Sequence, residues 1–309
     1  MGEGHGFGKV ILFNEHFVVH RIPGIASAIG AMTTARAEKA EGGGIEIEDN
    51  RPATPGYIQS KLEQQKRSLD NMMKAAGFDA DKNPIKITLG GDLFVASGIG
   101  ASAASCTAIA RALSDEFSLG FSDERINEIA YEGEKAYAGN PSGIDNTAAT
   151  FGGLIWFQKG DPNVIERIKL KEPVEIVMGN TGINADTEKA VAGVAERKEQ
   201  NPEKYNELFN QAGKLVLQAR KALEDFDLQR VGELMNENHR LLQGIEVSCK
   251  ELDMLVDLAR ENGALGAKMT GGGLGGNMVA LTPGKELQEK VAKAIHDAGF
   301  EVLKTRVGV

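Results

Sequence analysis

The sequence is short of cysteine, of aromatic residues and of positive charge. Its two cysteines, Cys106 and Cys249, stand far apart with no CxxC or zinc-ligand spacing around either. That argues against a disulfide framework or structural metal, so a reducing, cytoplasmic setting is expected. Lys+Arg number 35 against 44 Asp+Glu, a net charge of -9. The basic surface that binds a phosphate backbone is missing, so no nucleic-acid partner is expected and an anionic ligand needs a local basic site. No run approaches the roughly 18 consecutive apolar residues of a spanning helix. Met1-Gly2-Glu3-Gly4-His5 has neither a basic nor an apolar leader region, so neither membrane insertion nor secretion is signalled. No GxxxxGK[ST] occurs, which argues against a P-loop NTPase.

What is present is enough apolar material, 41% of 309 residues, for a real core and about two ordinary domains. The first 50 residues read as strands at 9–13, 33–37 and 45–48, with a turn at Gly42-Gly43-Gly44. A helix is expected over 57–76, a strand over 84–89, and helices over 101–117 and 122–138. Strands are expected over 155–168 and 174–178. Residues 187–261 read as almost continuous helix, broken near 201–202, 225–227 and 244–247. The tail reads as a strand, a glycine-rich turn, a strand over 277–281, a helix over 284–298 and a closing strand. Runs of strands followed by runs of helices indicate an α+β protein, with domains expected over 1–165 and 166–309.

The segment from Ala96 to Ser105 runs into an alanine-rich helix. Glycines before a helix N-terminus let N–H groups and the helix dipole converge on an anion. Two readings stand side by side, a phosphate cradle and close helix packing. The GxGxxA spacing also suits a dinucleotide fingerprint, but the βαβ context and the acidic residue about 20 positions later are absent. In the helix over 122–138, Glu134 falls on the buried stripe marked by Ile126, Ile129, Ala130 and Tyr137. A buried carboxylate needs a cation or donors, so it is either a Mg²⁺ ligand or one arm of a salt bridge. Asp145 ends the turn-rich run from Gly139, where it suits either catalysis or helix capping. His16 and His20 have a metal-ligand spacing, although Phe17-Val18-Val19 and the lack of a third ligand beyond Glu15 speak against one. His5 and His239 are expected at the surface, and Cys106 inside.

Taken together, these segments resemble the GHMP kinases, and within them the mevalonate kinases. Gly8 to His20 is similar to the family's GKVIL-GEH-VVH stretch, Ser97 to Ser105 to its second motif, and Ala267 to Gly276 to its KLTGAGGGG. Glu132-Gly133-Glu134 and Gly139 to Asn146 match EGE and GNPSG-DN, and the matches follow in order along essentially the whole chain. The resemblance implies a two-domain GHMP kinase fold, with an N-terminal ribosomal-protein-S5-like α/β domain and a C-terminal ferredoxin-like α+β domain. It implies that Ser97, Gly98, Ile99, Gly100, Ala101, Ser102, Ala103 and Ser105 bind ATP, and that Ser102 and Glu134 hold Mg²⁺. Asp145 would take the proton of the attacking hydroxyl and Lys9 would stabilise the transferring group. Glu15, His16 and Thr187 would hold mevalonate, with the Gly271–Gly276 turn steadying the phosphate loop. A homodimer is implied as well.

The sequence departs from the family at four places. Asn14 stands for a glycine, tolerating a left-handed backbone but adding polar bulk beside the acceptor pocket. Ala101 stands for a serine, Ala96 for proline or serine, and Leu274 interrupts the last glycine run. The rival readings are another GHMP kinase, for phosphomevalonate or a sugar, a nucleotide-binding regulator without catalysis, and a weaker NAD-binding oxidoreductase. Lys9, Glu134 and Asp145 together speak against the regulator, because binding alone needs no base.

Overall fold

Gly2, Gly4 and Gly6 alternate along the first strand, β1 (Gly2–Phe13), and the backbone of the helix Ala101–Glu116 occupies the space their side chains would fill. A Cβ at these positions would lie 2.3, 2.2 and 2.2 Å from backbone atoms of that helix. Glycine here serves close approach. The computed structural model describes residues 1–53, 56–95, 98–139, 141–183 and 187–309, the Glu188 side chain excepted. The described chain divides into two units, Met1–Lys9 with Ala28–Gly152, and Val10–Ser27 with Gly153–Val309.

In the first unit, β1 is followed by β2 (Gly24–Lys39), β3 (Ile45–Asp49), α1 (Tyr57–Ser60), α2 (Leu62–Ala76) and β4 (Ile85–Gly91). Then come α3 (Ala101–Glu116), α4 (Asp123–Ala138) and α5 (Ile144–Phe151). β2 pairs antiparallel with β4 from Thr33↔Gly91 to Lys39↔Ile85, and β3 pairs parallel with β4. Ala31, Thr33, Ala35 and Ala37 are buried while Thr34, Arg36 and Glu38 are exposed, the alternation of a sheet wetted on one face. α2, α3 and α4 cover the other face through Leu69, Met72, Ala108, Ile109, Ile126 and Ile129. The single helix expected over 57–76 is parted at Lys61. The Ser122 hydroxyl caps α4 by accepting from the Arg125 N–H, which satisfies one of the helix's orphan donors. A Cβ at Gly133 would lie 2.7 Å from Cys106 Sγ, so glycine lets α4 settle onto α3.

In the second unit the chain forms β5 (Leu154–Gln158), β6 (Val164–Ile168), β7 (Val174–Asn180), α6 (Thr187–Gln200), α7 (Pro202–Glu224) and α8 (Leu228–Gly244). It continues with α9 (Lys250–Glu261), β8 (Gly266–Thr270), β9 (Asn277–Leu281), α10 (Lys285–Asp297) and β10 (Glu301–Val307). β7 lies between β10 and β9, and β8 pairs with β9, all antiparallel. β5 pairs with β6 and with Gly24–Ser27 of β2. The single strand expected over 155–168 is therefore a hairpin, turned at 159–163, where Gly160 and Pro162 are the breakers. The helical run from 187 breaks where expected, because Pro202 opens α7 at its first turn and Asp227 caps α8.

Candidate active site

In the first unit the loop before α3 is shaped by Gly98 and Gly100, both with left-handed backbones at φ 71 and 76, a region glycine enters without a steric penalty. The Lys9 N–H donates to the Ile99 carbonyl at 2.8 Å. A Cβ at Gly100 would lie 2.9 Å from Lys9 Cγ, so glycine lets the lysine stem run along the loop. Lys9 Nζ then meets Asp145 Oδ1 at 3.2 Å. Asp145 sits in the first turn of α5, whose N-cap is Gly143; it is not the capping residue, though it suits the positive end of the helix.

Glu134 is buried on α4, and its Oε1 has no hydrogen-bond partner. Burial, and then the charge of Asp145, push its carboxyl up to about 7, against the opposing pull of the Ser102 hydroxyl and Lys9. The salt-bridge reading of Glu134 finds no partner among the described ion pairs. A cavity of about 290 Å³ is lined by Gly98, Gly100, Ala101, Ser102, Ser105 and Asp145 of the expected residues. Ile99 and Ala103 are buried and offer the loop only backbone. The Ser105 hydroxyl donates to the Ser102 carbonyl at 2.8 Å. Ser97 and Ala96 lie outside the described residues.

In the second unit Glu15 and His16 are buried. Glu15 is ion-paired to Lys268, which also donates to the Met269 carbonyl at 2.7 Å. His16 Nε2 lies 2.9 Å from the Gly272 carbonyl, so Nε2 carries the proton, and the buried Nδ1 faces no hydrogen-bond partner. Burial lowers the His16 pKa, with the Gly272 carbonyl opposing, so the ring is neutral at pH 7. Thr187 opens the described part of α6, and a Cβ at Gly272 would lie 2.3 Å from its Oγ1. The turn beyond β8 is fixed by Gly276 N–H to the Ile183 carbonyl at 2.9 Å and Leu274 N–H to the Val247 carbonyl at 2.8 Å.

Asn14 takes the left-handed backbone expected of it, at φ 71. Its polar bulk does not stand open: the side-chain amide donates to the Pro23 and Ala212 carbonyls, and its Oδ1 accepts from Asn238 Nδ2 at 3.1 Å. Leu274 is also left-handed, at φ 54, and half exposed. His20 turns its ring to Phe209, 4.8 Å between centroids, and no cluster of three or more potential metal-binding His, Cys, Asp or Glu occurs among the described residues. His5 is exposed as expected. His239 is not at the surface: it is buried, donating to Asp253 Oδ1 at 3.1 Å and accepting the Met269 N–H at 3.3 Å. Its place on the apolar stripe of α8 is the signal that sequence reading passed over.

Three further residues were not singled out from the sequence. Arg51 and Asp49 pair at 2.6 Å beside the cavity, and Arg51 also donates to the Ala101 carbonyl at 3.1 Å. Lys268 is fully buried in β8. A lysine inside the buried run Ala267–Thr270 was the visible clue, since an unpaired charge there is too costly to keep.

Residues 65–153 match the family model described as GHMP kinases N terminal domain, and residues 219–301 that of GHMP kinases C terminal. The chain thus carries both halves of a GHMP kinase and is an ATP-dependent small-molecule kinase. Mevalonate kinases of Pyrococcus horikoshii and Pyrococcus abyssi are 38% and 37% identical to it, each over 97% of this chain and 93% of theirs. The crystal structure of L. major mevalonate kinase in complex with R-mevalonate aligns with a TM-score of 0.94 and 39% identity, covering 99% of this chain and 96% of that chain. The chain belongs to the mevalonate kinase family. No helix among the described residues is long and apolar enough to cross a membrane.

Proposed function

We propose that the chain transfers the γ-phosphate of ATP to the C5 hydroxyl of mevalonate, giving 5-phosphomevalonate, with Asp145 as proton acceptor and Lys9 beside the transferring group. The observation that carries this reading is the 3.2 Å Lys9–Asp145 pair next to a glycine loop that opens a helix. Phosphoryl transfer asks a protein for alignment and charge neutralisation. The loop N–H groups and the α3 dipole receive the phosphates, Lys9 offsets charge on the transferring group, and Asp145 takes the hydroxyl proton.

Ser102 and Glu134 fit a Mg²⁺ ion. An unpartnered buried carboxylate oxygen whose pKa stands near 7 is a group that a divalent cation would return to its ionised form. Mg²⁺ is commonly held by one or two carboxylates and the substrate phosphates, and when bound it supplies charge neutralisation on those phosphates. In the second unit Glu15, His16 and Thr187 hold mevalonate, with His16 Nδ1 as an acceptor for one of its hydroxyls. In this reading residues 1–165 form the N-terminal kinase domain with the phosphate loop, 166–309 the C-terminal domain, and the enzyme works in the cytoplasm.

Asp145→Asn tests the chemistry. Turnover is expected to fall by about a thousandfold while ATP affinity, read by titration calorimetry, stays within a few fold. Near-normal turnover would remove Asp145 from the mechanism.

A further inference from the structure

Glu15 and His16 follow directly on the left-handed Asn14, in a segment whose only regular structure is the short 3₁₀ turn Phe17–His20. Such a segment holds a fixed geometry only if side chains pin it. The Asn14 N–H donates to Asn238 Oδ1 at 3.2 Å, and Asn238 Nδ2 returns a bond to Asn14 Oδ1 at 3.1 Å. Both amides are fully buried. The next residue on α8, His239, accepts the Met269 N–H and is itself oriented by Asp253, which also accepts from the Ser248 hydroxyl at 2.5 Å. Adjacent residues of one helix therefore grip the two segments that carry Glu15 and Lys268. Between those grips lies the Lys268–Glu15 ion pair, with side-chain exposures of 0% and 1%.

A buried ion pair adds little net stability compared with apolar residues of the same volume, because desolvating two charges offsets their attraction. What it does supply is direction, since a charge sealed in protein cannot leave its partner without a large cost.

We infer that Lys268 is a positioning residue for the acceptor: its buried pair with Glu15, gripped from α8 by Asn238 and His239, fixes the Glu15–His16 segment and so sets acceptor affinity. This rests on the reading of Glu15 and His16 as acceptor ligands. Lys268 acts through Glu15 and has no part in holding the nucleotide. Without the Lys268 charge, Glu15 loses the ion pair that fixes its direction, and displacements near 1 Å at a reacting site can cost up to about a hundredfold.

The test is steady-state kinetics on the full chain with mevalonate and ATP, for Glu15→Gln, Lys268→Met, the double variant and Asn238→Ala. Lys268→Met should raise the KM for mevalonate by about tenfold or more while the KM for ATP stays within about twofold. The double variant should be no worse than Glu15→Gln alone, because the two changes act on one interaction. Asn238→Ala, which keeps every charge, should raise the mevalonate KM in the same selective way and stands in if Lys268→Met does not fold. A lower melting temperature with both KM values unchanged in Lys268→Met and Asn238→Ala would overturn the inference. If Glu15→Gln also leaves the mevalonate KM unchanged, the acceptor reading fails; if it alone raises that KM, the reading stands and only the positioning role falls.

Discussion

In the first unit Lys9 and Asp145 meet with the carboxylate side chain 35% exposed, and nearby Glu134 keeps a buried oxygen without a hydrogen bond. In the second, Lys268 and Glu15 are sealed from solvent, and the neighbouring amides of Asn14 and Asn238 bond each other in both directions. The contrast separates two uses of charge. In the proposed reading, the groups left partly unsatisfied are those a bound phosphate or cation would complete. The Lys268–Glu15 and Asn14–Asn238 pairs find their partners within the protein and hold a shape, while the buried His16 Nδ1 beside them is left without a hydrogen-bond partner. The same division appears in the glycines: Gly98 and Gly100 shape a loop toward a cavity, whereas Gly272 makes room for the Thr187 hydroxyl.

Substitutions that break this contrast should separate cleanly. After Asp145→Asn, the largest effect is expected for Glu134→Gln, which should lower turnover by about a hundredfold and raise the Mg²⁺ concentration needed for half-maximal rate. Gly100→Ala adds a Cβ against Lys9 in a left-handed position, and about a tenfold loss of turnover should follow with mevalonate affinity kept. Asn14→Gly relieves a left-handed side chain but strips Asn238 Nδ2 of its acceptor. A loss of about 1–2 kcal/mol in urea unfolding is expected, with the KM for mevalonate rising and that for ATP unchanged.

A separate effect is expected on stability against pH in the metal-free protein. The Glu134 carboxyl is raised from 4.5 to about 7, chiefly by burial. The folded state thus holds its proton more tightly than the unfolded one. That stabilisation is complete below pH 4.5 and is lost as the pH rises through about 7, on the order of 3 kcal/mol in all. Glu134→Gln should remove this fall, so thermal melts of the two proteins should diverge between pH 5 and 8, with the variant higher at pH 8.

The helices of the second unit were legible because their breaks are chemical: Pro202, the Asp225–Asp227 run and the Gly244–Val247 run interrupt periodicity that tertiary packing then uses. The hairpin of β5 and β6 reads as one strand in the sequence because the apolar residues on both sides outweigh Gly160 and Pro162. The first-unit candidates were visible as a glycine loop beside a helix and as carboxylates at odd positions, local features that one sequence can display. Lys268, Asn238 and His239 were not, since their meaning lies in partners 224 to 253 residues away or on another element. The alternating Gly2, Gly4 and Gly6 likewise carried no message until a helix backbone was found against them.

The measurement that bears most directly on the function is ATP- and Mg²⁺-dependent ADP release by the purified chain with mevalonate, phosphomevalonate, galactose and homoserine offered separately. Turnover confined to mevalonate is the expected result. Turnover with a different acceptor, or with none of the four, would contradict it.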